Sequence, residues 1–111
     1  MTAAQAKEYA YSRLNAWGWK DSEFNSLDNL WEKESNWNYK AENSSGAVGI
    51  PQLKGGKNVE NFMNDYTIHI EHGFSYIKNR YGTPTAAWEF LKKKVGIKIK
   101  ISYNIDYIIF K

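Results

Sequence analysis

At 111 residues the chain is long enough for one domain with a modest core, and 42% apolar content with five Trp, eight Tyr and five Phe argues against disorder. No run of about 18 apolar residues occurs, so no membrane span is expected, and the absence of cysteine excludes disulfides and thiolate chemistry. The net charge of +3 is uneven, with +5 on residues 92–111 and −2 on residues 1–91, so the body lacks the basic surface that a nucleic-acid partner needs.

Taken in order, Thr2 to Trp17 reads as a helix. Ala6, Tyr9, Ala10, Arg13, Leu14 and Trp17 recur at three- and four-residue spacing, and Gly18 is a natural stop. Asp21 or Ser22 is the expected N-cap of a second helix running to about Ser35. On its helical wheel Phe24, Leu27, Leu30 and Trp31 share one stripe, while Asp28, Glu32 and Lys33 fall outside it. Glu34 lands in the middle of the stripe. A carboxyl there loses hydration, its pKa is expected to rise, and a carboxyl protonated near neutral pH can act as a general acid. The alternative is a helix-end glutamate turned out to water or paired with Lys33 or Lys40. Ser35 can bond local backbone. Trp37 and Tyr39 are amphipathic rings beside Glu34, suited either to stack on a ligand or to roof the core.

Asn43 to Gln52 is expected to be loop, with Gly46 and Gly49 permitting backbone shapes other residues resist and Pro51 blocking helix. Gln52 is either a ligand contact or a loop-stabilising amide. Lys54-Gly55-Gly56-Lys57 is no phosphate cradle, since no Ser or Thr follows Lys57 and no strand precedes it; Val59 to Asn64 suits a short helix. Thr67 to Tyr81 reads as a helix ended by Gly82, with Ile70, Phe74, Ile77 and Tyr81 inward. His69 and His72 lack a third ligand at metal spacing and read as surface histidines, so no metal or other cofactor is expected. Thr83-Pro84 opens a further helix, with Thr as N-cap and Pro at its first position, and Ala87, Trp88 and Leu91 face the core. Beyond Phe90 the alternation Ile97-Lys98-Ile99-Lys100-Ile101 suits a strand. The Lys, Ile and Tyr mixture of residues 92–111 reads as the product of a truncated or frameshifted end, not an evolved module, leaving residues 1–91 as the functional domain.

Three blocks then stand in order: Leu30-Trp31 with Glu34-Ser35 and Trp37; Ser45-Gly46-Ala47-Val48-Gly49-Ile50-Pro51-Gln52; and Gly73-Phe74-Ser75-Tyr76-Ile77 with Arg80-Tyr81-Gly82-Thr83-Pro84 and Ala87-Trp88. Together they resemble the soluble lytic transglycosylase family, in the variant found in phage tail and cell-wall lytic proteins of Gram-positive bacteria. The similarity spans about Ala6 to Phe90. It implies a mainly α, lysozyme-like α+β fold, with a helical lobe and a small loop or hairpin lobe around a glycan cleft. It implies Glu34 as the catalytic acid, with Ser35 and Gln52 contacting substrate near the scissile bond. Trp37, Tyr66, Tyr76 and Tyr81 are the further candidates for the cleft, and Tyr76 is preferred among the tyrosines because the family tends to place a tyrosine near its glutamate. The segment 53–66 and His72, where relatives often carry Trp, depart from the pattern.

The implied reaction is cleavage of the β-1,4 bond between N-acetylmuramic acid and N-acetylglucosamine in peptidoglycan. Most glycosidases use two carboxylates. No second acid lies on the Glu34 face nearby in sequence, and Glu42, Asp65 and Glu71 can approach only through the fold. A single acid is what lytic transglycosylases are known for; hydrolysis by a muramidase route, or a wall-binding or phage structural domain that has lost activity, are the alternatives. The expected setting is the extracellular wall or a phage virion, as a monomer or a domain of a larger protein, with peptidoglycan strands as partner. The N-terminus shows no apolar h-region of a signal peptide.

Overall fold

Thr2 begins the first helix. Its hydroxyl accepts from the Gln5 N–H at 3.1 Å, while the Gln5 side chain accepts from the Thr2 N–H at 2.9 Å, a reciprocal capping box. In the computed structural model, which describes residues 2–42, 46–47, 49–52 and 65–101 (backbone alone from 95), helix α1 spans Ala3–Arg13 and tightens into a 3-10 turn, Leu14–Trp17. Gly18 stops it at φ +82, a left-handed conformation that glycine adopts without steric cost. Ala6, Ala10 and Leu14 of the expected stripe are buried, and Tyr9, Arg13 and Trp17 lie half-buried at its edges.

The second helix starts differently from expectation. A 3-10 turn, Asp21–Glu23, leads directly into α2, Phe24–Ser35, and neither Asp21 nor Ser22 makes a side-chain cap. The chain is already helical at Glu23, so the early N–H groups need less help from a cap. Glu23 instead turns its carboxylate to Thr85, accepting from its N–H at 2.9 Å and its hydroxyl at 2.8 Å. The far end of α2 is closed by Asn36 at φ +55, whose N–H donates to Glu32 O at 3.0 Å.

Helix α3, Tyr66–Arg80, starts at Asp65, whose carboxylate accepts from the N–H groups of Thr67 (3.0 Å) and Ile68 (3.4 Å). Helix α4 spans Pro84–Ile101 and begins as its sequence predicts: Thr83 accepts from the Ala86 N–H at 3.1 Å and Pro84 is the first helical residue. The strand expected over 97–101 is not formed. These residues extend an established helix, where each added residue gains a hydrogen bond, and an alternating pattern specifies a strand only where a neighbour pairs with it. The expected boundary at 91/92 therefore falls inside α4, and residues 102–111 lie outside the described part.

The mainly α character holds: among the described residues there is no strand. Ala6 and Ala10 of α1, Leu14 of the 3-10 turn, Leu27, Leu30 and Trp31 of α2, Ile70, Phe74 and Ile77 of α3, and Ala87 and Leu91 of α4 form one core with Trp19, Trp37 and Ile50. Trp31 stacks on Phe74 with ring centres 5.5 Å apart. Gly73 makes that approach possible, because a Cβ there would lie 2.5 Å from the Trp31 ring and 2.9 Å from Pro51 Cβ. Leu91 is the last residue of α4 described as buried. Deleting residues 92–111 is expected to move the melting temperature by no more than about 5 °C, the scale of ~1 kcal/mol in a domain this size. A fall of about 15 °C or more in a calorimetric scan would make the tail part of the fold.

A second tie joins α1 to α3. Glu71 accepts from Arg13 Nε (2.7 Å) and Nη2 (3.2 Å), the Tyr9 hydroxyl (2.8 Å) and Trp17 Nε1 (3.0 Å). The Arg13 hydrogen bonds foremost hold its carboxyl below the usual glutamate range, against the opposing effect of partial burial. A depressed pKa contributes stability that is present above the unfolded-state value, near 4.3, and is lost as pH falls through the folded one. Glu71→Gln is expected to cost about 2 kcal/mol at pH 7. The difference should shrink as pH falls below about 4, measured by urea unfolding across that range; a pH-independent difference would contradict it.

Candidate functional site

Glu34 occupies the last turn of α2, half-buried, on the face that places Leu27, Leu30 and Trp31 in the core. The Ser35 hydroxyl donates to the Ile50 carbonyl at 2.6 Å, tying the helix end to the glycine loop. Ser35 is thus a positioning residue for that loop.

The loop is held from three further sides. The Gly49 N–H donates to Ala41 O at 2.9 Å, and the Gln52 N–H to Gly49 O at 3.1 Å. The Gln52 amide donates to Ala41 O at 3.2 Å and Gly49 O at 2.9 Å. Both amide hydrogens of Gln52 are thereby engaged within the loop, so only its Oε1 is left to meet a ligand. Gln52 itself sits at φ +53, a conformation rare outside glycine and held here by these bonds. Gly49, at φ +80, lies directly against the His69 ring: a Cβ there would overlap Nδ1 and stand 2.8 Å from Cε1.

His69 corrects an expectation. It is 3% exposed, beneath the loop and 6.5 Å edge-to-face from Tyr39, not on the surface. Its position one turn before Gly73 puts it on the buried face of α3, and no cluster of metal-ligating side chains exists among the described residues. His72 is exposed.

Trp37 is a second correction. It is 2% exposed, and its Nε1 donates to Asp28 at 2.9 Å. Asn36 and Trp37, both with φ above +50, fold the chain back after α2. The Trp37 ring thereby lands against Trp31, with centres 5.1 Å apart, and has no open face for a sugar. Sequence cannot distinguish a roofing tryptophan from a platform, because the choice depends on this reversal.

Tyr76 and Tyr81 are brought together, Tyr76 exposed and Tyr81 half-buried against the core. Trp31 meets α3 at Gly73 and Phe74; one turn further along each helix stand Glu34 and Tyr76. Tyr76 is 43% exposed and packs edge-to-face with Tyr81 at 6.2 Å. Partial burial raises the Tyr76 hydroxyl above the ordinary tyrosine range, with the neighbouring Tyr81 and then the Glu34 charge adding to it. Phe90 lies 5.5 Å from Tyr81 and is 46% exposed. Arg80 lies over both tyrosine rings. The sequence reading gave no role to Arg80 or Phe90; the four-residue step from Tyr76 to Arg80, which puts both on one helix face, was the available signal.

No family model, curated protein or solved structure matches the chain. The three acids that sequence left as second carboxylates stand as follows. Asp65 caps α3 and Glu71 is held by Arg13, Tyr9 and Trp17, while Glu42 is exposed at the loop entrance. Residues 53–64, with the short helix expected over Val59 to Asn64, lie outside the described residues.

The arrangement offers one half-buried carboxyl at a helix end, a rigid loop tied to that end, and an aromatic surface with a stacked cation beside it. A carboxyl in that setting can donate a proton to a bound leaving group and take one back.

Proposed function

We propose that this domain is a peptidoglycan lytic transglycosylase that cleaves the N-acetylmuramic acid–N-acetylglucosamine β-1,4 bond, with Glu34 as its only catalytic acid. The observation that carries the reading is a half-buried Glu34 on the core face of α2, at a helix end that Ser35 ties to the glycine loop. The ordered sequence blocks support it from a separate direction.

In the proposed reaction the protonated Glu34 carboxyl donates to the glycosidic oxygen as the bond from the muramic C1 breaks. The resulting carboxylate then takes the proton from the same sugar's 6-hydroxyl, whose oxygen bonds to C1. The proton returns to Glu34 and the product is a 1,6-anhydro ring, with no water consumed. A lone carboxylate suffices because the attacking hydroxyl belongs to the substrate, whereas two-carboxylate glycosidases need the second group as nucleophile or water activator. Tyr76, 43% exposed on α3, is the ring proposed to meet the sugar. The setting that fits is the bacterial wall or a phage particle that opens it.

Mass spectrometry of the fragments released from purified Gram-positive peptidoglycan tests this. Anhydro-muramic ends are expected. Reducing ends would reassign the site to a muramidase, and no release by folded protein would leave wall binding without cleavage.

A further inference from the structure

The proposed chemistry does not use the cation beside it. Arg80 lies over the Tyr76 ring at 6.0 Å and the Tyr81 ring at 5.7 Å, and its Nε donates to the Tyr81 hydroxyl at 3.2 Å. The guanidinium is therefore held in one place by two rings and one hydrogen bond, with its two terminal nitrogens left to donate. Among the described residues no carboxylate lies within ion-pair distance of it; the ion pairs that form there use Lys7, Arg13 and Lys92. Around it Tyr76 and Phe90 expose nearly half of their surface.

A pre-positioned guanidinium with an open fork matches the geometry of a carboxylate, which it can meet with two parallel hydrogen bonds. The flanking rings suit the apolar faces of a sugar or peptide. We propose that Tyr76, Arg80, Tyr81 and Phe90 form an accessory subsite that grips a stem-peptide carboxylate of the peptidoglycan strand whose glycan lies at Glu34. This deepens, and rests on, the reading of the Glu34 site given above. Charge selects the occupant. Lys94 Nζ lies over the Phe90 ring at 5.6 Å, so the patch holds Arg80 and one further cation, whereas binding a polyanion such as nucleic acid needs many cations along a track. One fixed fork fits one carboxylate.

The test measures binding by calorimetry, using the full chain carrying Glu34→Gln so that ligand is not consumed. One probe is a tetrasaccharide muropeptide whose stem peptides end in free carboxylates, and the other is the same molecule with those carboxylates amidated. The free acid is expected to bind about tenfold more tightly, the size of one charge-assisted contact. Adding Arg80→Ala should remove that advantage, with Arg80→Lys intermediate because it keeps the charge and loses the fork. Equal binding of the two probes, or an advantage that survives Arg80→Ala in a variant with an unchanged melting temperature, overturns the subsite and leaves the Glu34 reading standing. Failure of both probes to bind overturns both. Displacement of the muropeptide by a single-stranded oligothymidylate at similar affinity would make the surface a general anion binder and also overturn the proposal.

Discussion

Gly49→Ala is expected to destabilise the fold by about 3 kcal/mol and to take cleavage activity down with it. Two costs combine. At φ +80 any side chain occupies a conformation that costs about 1 kcal/mol or more. The new methyl would also overlap the His69 imidazole, a ring that is 3% exposed and packed beneath the loop. A buried ring cannot swing aside as the end of a lysine can, so the loop must lift, and the Ser35–Ile50 hydrogen bond lifts with it. Gly46 supplies the control. It has φ +90 but no described residue within 4 Å of an added Cβ, so Gly46→Ala should show the backbone cost alone, about 1 kcal/mol. Denaturant midpoints of the two variants separate the terms, and the clash is confirmed if His69→Ala restores part of the loss in the Gly49→Ala background. Equal effects at the two glycines would contradict the close packing of loop on helix.

Glu34→Gln is expected to lower the turnover of peptidoglycan by about 10³-fold, within the range a positioned general acid supplies. The substitution keeps shape and hydrogen-bonding length but removes the transferable proton. The residue is half-buried at a helix end, so the melting temperature should stay within a few degrees, the change typical of a non-core substitution. Binding of glycan should persist, because the loop and the rings of Tyr76 and Tyr81 are untouched. A loss of activity accompanied by a comparable loss of stability would instead describe a structural acid.

Much of the helical layout is legible in the sequence because its cues are local. Thr2 with Gln5, Gly18, and Thr83 with Pro84 set three helix boundaries through backbone hydrogen bonding alone. The inward stripes of α1 and α2 follow from periodicity, and Glu34 stands out as an acid inside one of them. The misreadings share a cause, which is that the deciding contact lies far away in sequence. Trp37 joins the core only because two left-handed residues return it to Trp31. His69 is buried because the loop at Gly49 covers it, 20 positions earlier in the chain. Glu23 leaves α2 uncapped because it serves Thr85, 62 residues on. Residues 97–101 alternate like a strand but inherit a helix from α4. At the site itself Glu34 was visible as an anomaly, whereas the positioning role of Ser35 and the stacking of Arg80 on two tyrosines required the fold.

The most direct test of the central claim, that one carboxyl at the end of α2 breaks the glycan strand, is the rate at which purified Gram-positive peptidoglycan is solubilised by wild type and by Glu34→Gln at matched folded concentration. Release by wild type and a fall of about 10³-fold in the variant are the predicted result. Undiminished release by Glu34→Gln would contradict the claim.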